Sequence, residues 1–307
     1  MREARQGHRQ AVKTSVIIAT CRRPEALGRL LESLKAQLAE KGRELFIAEN
    51  GSAEPCAVTL DGARIHRLHD ARPGKCRVQN RCIGQASGEI VVCLDDDLVA
   101  APDYLSQVES FFDGHPEFAA MKGRTLAARD PKAAAGESWV YLDLPIVDHG
   151  ERVVEVRGVV GANMAFRKRA FDLVGLFDER LGPGAAGHEE ETEMSARLRA
   201  AGLRIGYAPR ALVYHEVDPA RADAARFIRV ARERGRCRML HERHGAAAIV
   251  TANVIGHIRL LAARMLGAGP ARLAREQKKL AIAQGMLDGL SRPSPAPLNR
   301  GTAPPVA

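Results

Sequence analysis

Aromatic residues make up only 4% of this 307-residue chain, with a single tryptophan, Trp139. Its basic C-terminal third has neither the interleaved aromatics nor the zinc ligands of a nucleic-acid module, so nucleic acid is excluded as a principal partner. The six cysteines (Cys21, Cys56, Cys76, Cys82, Cys93 and Cys237) form no C-x-x-C pair and show no zinc-type spacing. They read as free thiols rather than disulfides or a metal site. No stretch approaches the ~20 uninterrupted apolar residues of a membrane span. The start, Met1-Arg-Glu-Ala-Arg-Gln-Gly-His-Arg-Gln10, lacks the apolar core of a signal peptide. The expected location is cytoplasmic.

What is present is ordinary globular material. Hydrophobic residues are 46% of the chain, enough for one large α/β domain with an appendage or for two small domains. The net charge of +9 is concentrated late, where Arg226, Arg229, Arg232, Arg234, Arg236, Arg238, Arg243, Arg259, Arg264, Arg272, Arg275, Lys278 and Lys279 face few acids. Such a segment attracts anionic lipid or a phosphorylated substrate. Its apolar residues Ile255, Ile258, Leu260, Leu261, Met265 and Leu266 fall at near-helical spacing among the arginines, the pattern of a basic amphipathic helix in a lipid interface. A helix packed on the domain with its arginines solvated is the rival reading.

Over the first two-thirds, strand and helix patterns alternate. Thr14–Thr20, Glu44–Ala48, Arg64–Leu68 and Ile90–Leu94 read as strands. Helices are expected from Pro24, with Leu27, Leu30, Leu31, Leu34 and Leu38 on one face, and over Gly74–Ala86. This alternation predicts a mostly parallel sheet flanked by helices. Further on, helices are expected over Pro102–Phe112, Lys168–Val174 and Glu189–Ala201. Strands are expected at Phe118–Lys122, Val159–Phe166, Arg204–Ala208 and Ala211–Tyr214, with an irregular stretch from Arg129 to Arg157. The predicted organisation is a catalytic domain over 12–218, split into a nucleotide-binding half (12–100) and an acceptor half (101–218). A basic helical region (219–290) and a Pro-rich disordered tail (291–307) follow.

The densest chemical signal is Leu94-Asp95-Asp96-Asp97-Leu98, three carboxylates directly after the apolar run Ile90–Leu94. Carboxylates at a strand's carboxyl end sit in the crevice where open α/β sheets bind ligands. Residues i and i+2 point the same way on an extended path, so Asp95 and Asp97 can share one Mg²⁺ or Mn²⁺.

Four further segments flank this cluster in order: Thr20-Cys-Arg-Arg-Pro24, Glu49-Asn50-Gly51-Ser52, Glu189-Glu190-Glu191-Thr192-Glu193 after a glycine-rich loop, and Val213-Tyr214-His215. With Gly74-Lys75-Cys-Arg-Val-Gln-Asn80, Gly161-Ala-Asn163 before Phe166-Arg167, and Phe177-Asp-Glu-Arg-Leu-Gly182, they resemble the family 2 inverting glycosyltransferases of the GT-A fold. That pattern runs T-x-x-R-P, D-[DN]-G-S, G-K-x-x-A-x-N, D-x-D, G-x-N-x-x-F-R, F-D-E-x-x-G, E-D-x-D and a final H. The resemblance covers Thr14 to Glu216.

It implies a GT-A, Rossmann-like α/β fold with a helical C-terminal extension. It also implies a metal-dependent transfer of sugar from a nucleotide diphosphate donor, UDP-linked, to a glycan or lipid-linked acceptor. By the resemblance Thr20 and Arg22 line the nucleotide pocket, Glu49 and Asn50 meet the nucleoside, and Lys75 approaches the diphosphate. Asn80 binds ribose or caps, Asp95 sits between ribose and metal, Asp96 belongs with it to the donor-binding set, and Asn163 borders the sugar. Asp97, with Asp95 and His215, holds Mn²⁺ or Mg²⁺, and Glu191 is the base. Asp stands at 191 in the family pattern; the longer Glu here leaves Glu190 as the alternative. Two other readings remain: a catalytically inactive homologue serving as a glycan- or nucleotide-binding subunit, and a sugar-nucleotide nucleotidyltransferase. The second is disfavoured by the absence of a Gly-rich loop after the first strand.

Overall fold

The computed structural model describes residues 13–58 and 65–290. Arg64, residues 1–12 and the Pro-rich tail 291–307 lie outside the described residues, and with them the expectations placed there.

Strands β1 (Thr14–Thr20), β2 (Arg43–Asn50), β3 (Ile65–Asp70) and β4 (Ile90–Asp95) alternate with helices α1 (Pro24–Leu38) and α2 (Lys75–Gln85). Every residue of β1 and β2 is buried, as a strand covered on both faces requires. Leu27, Leu30, Leu31, Leu34 and Leu38 of α1 supply one side of that cover. Val78, Cys82 and Ile83 of α2 supply the other.

The chain continues through β5 (Leu98–Ala100), α3 (Tyr104–Gly114), β6 (Phe118–Ala127), α4 (Pro131–Ala135), β7 (Val154–Glu155), β8 (Asn163–Arg167), α5 (Arg169–Val174), α6 (Glu190–Ala200) and β9 (Arg204–His215). Three helices end it: α7 (Ala224–His241), α8 (Ala246–Met265) and α9 (Pro270–Leu290). The strand order is β3-β2-β1-β4-β8-β6-β9-β5, with β7 paired to β9. Strands β1 to β4 pair in parallel, but β8 runs antiparallel to both β4 and β6 and β5 antiparallel to β9, so the sheet as a whole is mixed. The two short strands expected at 204–208 and 211–214 are one strand, β9, whose pairing with β6 shifts register between Gly123 and Arg124.

Register places the site. Thr20 lies opposite Glu49, and Ala19 opposite Asp95, so three parallel strands end level along one edge. The three-residue β5, too short to show a period in sequence, pairs Leu98 with His215 and swings the Asp cluster toward the end of β9.

Helices α7 and α9 cross at glycines: a β-carbon on Gly235 would run into the Ile282 carbonyl oxygen, and one on Gly285 into that of Arg232. Gly235→Ala should therefore lower stability by about 1–3 kcal/mol, the usual cost of overpacking. Thermal unfolding checks this, and an unchanged midpoint contradicts the close crossing.

Candidate active site

The crevice at the carboxyl ends of β1, β2 and β4 collects most of the expected residues, with distinct partners. Asp95 accepts from Lys75 Nζ at 2.6 Å. Asp96 is buried and accepts from Thr20 Oγ1 at 2.7 Å and Arg23 Nη1 at 2.8 Å. Asp97 faces three cationic or basic groups: Arg23 at 3.0 Å, Arg221 at 3.3 Å and His215 Nε2 at 3.3 Å. Burial works to raise the Asp97 pKa, but His215, Arg23 and Arg221 outweigh it and hold the carboxyl below the usual range. Asp96, with less compensation, is pushed up by its burial.

The extended path on which Asp95 and Asp97 would point the same way does not persist past Asp95. Strand β4 ends at Asp95 and the chain bends through Asp96 and Asp97, sending the two carboxylates to different partners. Among the described residues no three His, Cys, Asp or Glu side chains form a ready-made metal site. Asp97 and His215 do form an oxygen and nitrogen pair, brought together by the β5–β9 pairing and by the Glu216 amide donating to the Asp97 carbonyl at 3.0 Å. Two protein donors are a chemically sufficient fit for Mn²⁺ or Mg²⁺, which keeps waters and substrate phosphates as its remaining ligands.

At the opposite wall α6 begins. Glu189 precedes it in the left-handed conformation (φ 76°), and Glu190 is its first residue. Glu190 lies 3.6 Å from Lys75 Nζ and is fully enclosed. Burial, then the neighbouring Glu191 carboxylate, push its pKa up to about 8, against the pull of Lys75. Burial would discharge Lys75, yet Asp95 and Glu190 raise its pKa. Asp95, at 2.6 Å, is the closer partner of Lys75, and Glu190, at 3.6 Å, is the more distant one. Glu191, close enough to act on the Glu190 carboxyl, is half-buried. Glu193 points away and is paired with Arg197 at 2.6 Å.

Several of the residues expected at the donor also brace the fold. Glu49 accepts from the Cys56 amide at 2.8 Å and from Ser52 Oγ at 3.0 Å, closing the loop after β2. Asn50 links the Thr20 carbonyl to the Gly74 amide. Asn80 holds both the amide and the carbonyl of Phe177. Asn163 is set in the core, accepting from Tyr104 Oη at 2.7 Å and donating to the Arg124 and Ala211 carbonyls, because Gly123 leaves room for it. Arg22 is exposed with φ 56°. Arg23, which the T-x-x-R-P spacing itself marks, is the arginine that reaches the carboxylates. Arg221 carried no motif signal; the 3₁₀ turn Pro219–Arg221 after β9 delivers it.

A mixed α/β sheet whose parallel strands end in carboxylates, faced by a helix that opens with acids, is the layout of a nucleotide-sugar transferase. The sequence model of glycosyl transferase family 2 matches residues 15–174, and the chain belongs to that family: it is a glycosyltransferase that uses nucleotide-sugar donors. It is 26% identical over 220 residues to a glucosyl-dolichyl phosphate glucuronosyltransferase of Haloferax volcanii, covering 67% of this chain and 70% of the relative. It is 28% identical over 225 residues to the succinoglycan biosynthesis protein ExoM of Rhizobium meliloti, covering 68% of each. A mannosyltransferase from Pyrobaculum calidifontis, solved with GDP-Man and Mn²⁺, superimposes with TM-score 0.58 at 16% identity over 91% of this chain and 87% of that one. GalNAc-T7, solved with UDP, GalNAc and Mn²⁺, does so with TM-score 0.52 at 13% identity over 75% and 48%. These likenesses establish the fold as GT-A.

Proposed function

We propose that this glycosyltransferase is metal-dependent and inverting, and that it moves a sugar from a UDP-linked donor to a glycan or lipid-linked acceptor. The observation that supports this most is one crevice holding a carboxylate–imidazole pair, Asp97 and His215, beneath the acidic start of α6. A divalent cation held by that pair would serve as the Lewis acid on the departing diphosphate.

The chain's own residues do the rest. Arg23 and Arg221 already lie on Asp97, where their guanidinium groups can turn to diphosphate oxygens. Lys75 keeps its charge in a closed setting beside Asp95, a fixed positive field near the phosphates. Glu191 takes the proton of the acceptor hydroxyl as that oxygen attacks the anomeric carbon opposite the leaving group. Glu190, enclosed and with its charge disfavoured by burial and by Glu191, leaves the proton-accepting role to Glu191. Nuclear magnetic resonance of the transfer product tests the stereochemistry: an α-linked donor should give a β-glycoside, and a product of retained configuration contradicts the mechanism.

The same reading seats the enzyme peripherally on the inner, anionic face of a membrane. Val250, Val254, Ile258, Leu261 and Met265 form one stripe along α8, exposed by 48, 53, 61, 60 and 80%. The Ala246–Met265 helix is long and apolar enough to cross a membrane, with mean hydropathy 1.6. Thr251, Asn253, His257, Arg259 and Arg264 interrupt the run, so it does not read as a continuous apolar stretch in the sequence. Exposed Arg259, Arg264, Arg272 and Arg275 favour a helix lying in the interface over one spanning it. The protein should co-sediment with phosphatidylglycerol vesicles at low salt and less at high salt. Recovery wholly in the supernatant contradicts this seat.

A further inference from the structure

Residues 182–189, between α5 and α6, carry the strain of the site. Gly182, Gly184 and Gly187 all have positive φ, and so does Glu189, a residue with a side chain. Such a conformation persists at a non-glycine position only where surrounding structure holds it. On one side α2 grips the loop: the Lys75 amide donates to the Pro183 carbonyl at 2.9 Å, and Gly184 lies against the Gly74 backbone. On the other side the grip comes from α7, beyond the segment that matches the family. Cys237 Sγ donates to the Ala186 carbonyl at 3.0 Å, and Arg238 Nε donates to Glu189 Oε2 at 3.3 Å. His241 approaches the same carboxylate at 4.0 Å. Glu189 is 6% exposed, while the Arg238 side chain reaches it from a partly exposed position.

We infer that α7 is a strut for the base-carrying end of α6, with Arg238 as a positioning residue that acts through Glu189. The chain passes from Glu189 directly into Glu190 and Glu191, and the Glu189 carbonyl accepts the first helical bond, from Glu193 N at 3.0 Å. Displacing the Glu189 backbone therefore displaces the base. Misplacing a reacting group by about 1 Å can cost about 10² in rate. The strut also joins the catalytic loop to the helices that carry the exposed α8 stripe. Helix α9 packs against both α7 and α8, and Asp143 in the irregular segment pairs with Arg234 of α7 and Lys278 of α9.

The inference rests on the base lying at the start of α6, and a double-mutant cycle separates the two. In the full chain, Arg238→Met keeps the apolar stem and removes the guanidinium. Its kcat should fall about tenfold, the scale of a released left-handed strain. Mn²⁺-dependent UDP binding by calorimetry should not change. Arg238→Lys should recover part of the loss. Glu189→Gly adopts the conformation without a grip, so adding Arg238→Met to it should lower kcat no further. Additive losses in the cycle, or an Arg238→Met loss of UDP binding equal to its loss of kcat, overturn the strut. If Gln at both 190 and 191 leaves turnover intact, the base assignment itself fails, whatever the cycle shows. Transfer is followed with the sugar donor that a panel of UDP- and GDP-sugars selects.

Discussion

Glu191→Gln should lower transfer by about 10²–10⁴, the usual contribution of a general base, while UDP affinity stays where it was. Gln keeps the shape and hydrogen-bonding reach of Glu and removes only the proton acceptor. Glu190→Gln should be mild by comparison. Its carboxyl is enclosed, and burial and Glu191 push its pKa up, so the amide replaces a group whose charge the site already disfavours. Glu193→Gln should also be mild for turnover, since that carboxylate belongs to Arg197. Transfer rates for the three variants decide the matter. A loss at position 190 with retention at 191 moves the base by one residue, and retention at all three contradicts the inverting mechanism.

Asp97→Ala should abolish Mn²⁺-dependent UDP binding. The loss should exceed the ~10–100-fold that removing an outer-shell partner of a metal costs, because the change deletes the charged ligand itself. It also leaves Arg23, Arg221 and His215 facing one another without their common counterion. The fold should survive, because Asp97 lies past the end of β4 and outside the apolar clusters. His215→Ala should weaken the same binding less, since a neutral imidazole contributes less charge than a carboxylate. Calorimetry of UDP with and without Mn²⁺ checks both, and unchanged metal-dependent affinity in Asp97→Ala contradicts the assignment.

How much of this was legible in the sequence varied with the physics behind each feature. The parallel half was legible because Ile90–Leu94 and Val16–Ala19 are continuous apolar runs, the mark of strands covered on both faces. The Asp cluster was legible because a strand end fixes where its carboxylates emerge. The partners of those carboxylates were not. Whether Asp95 meets Lys75 or a cation depends on a bend at Asp96 that no period records, and the Asp97–His215 pair depends on β5, only three residues long. Glu49, Asn50, Asn80 and Asn163 have the residue types of ligand contacts, yet each satisfies backbone groups that the fold leaves open. Short polar side chains serve both purposes, and spacing alone does not tell them apart. Arg23 was within reach, since the T-x-x-R-P spacing names it, whereas Arg221 and Arg238 come from turns and helices that carry no motif.

The most direct test of the account is consumption of nucleotide sugars by the purified full chain, with release of nucleoside diphosphate followed across UDP- and GDP-linked donors in Mn²⁺ and in excess chelator. The expected result is turnover of a UDP-linked donor that requires Mn²⁺ and disappears in chelator. Equal turnover in chelator, or consumption of no donor in the panel under any metal condition, would contradict it.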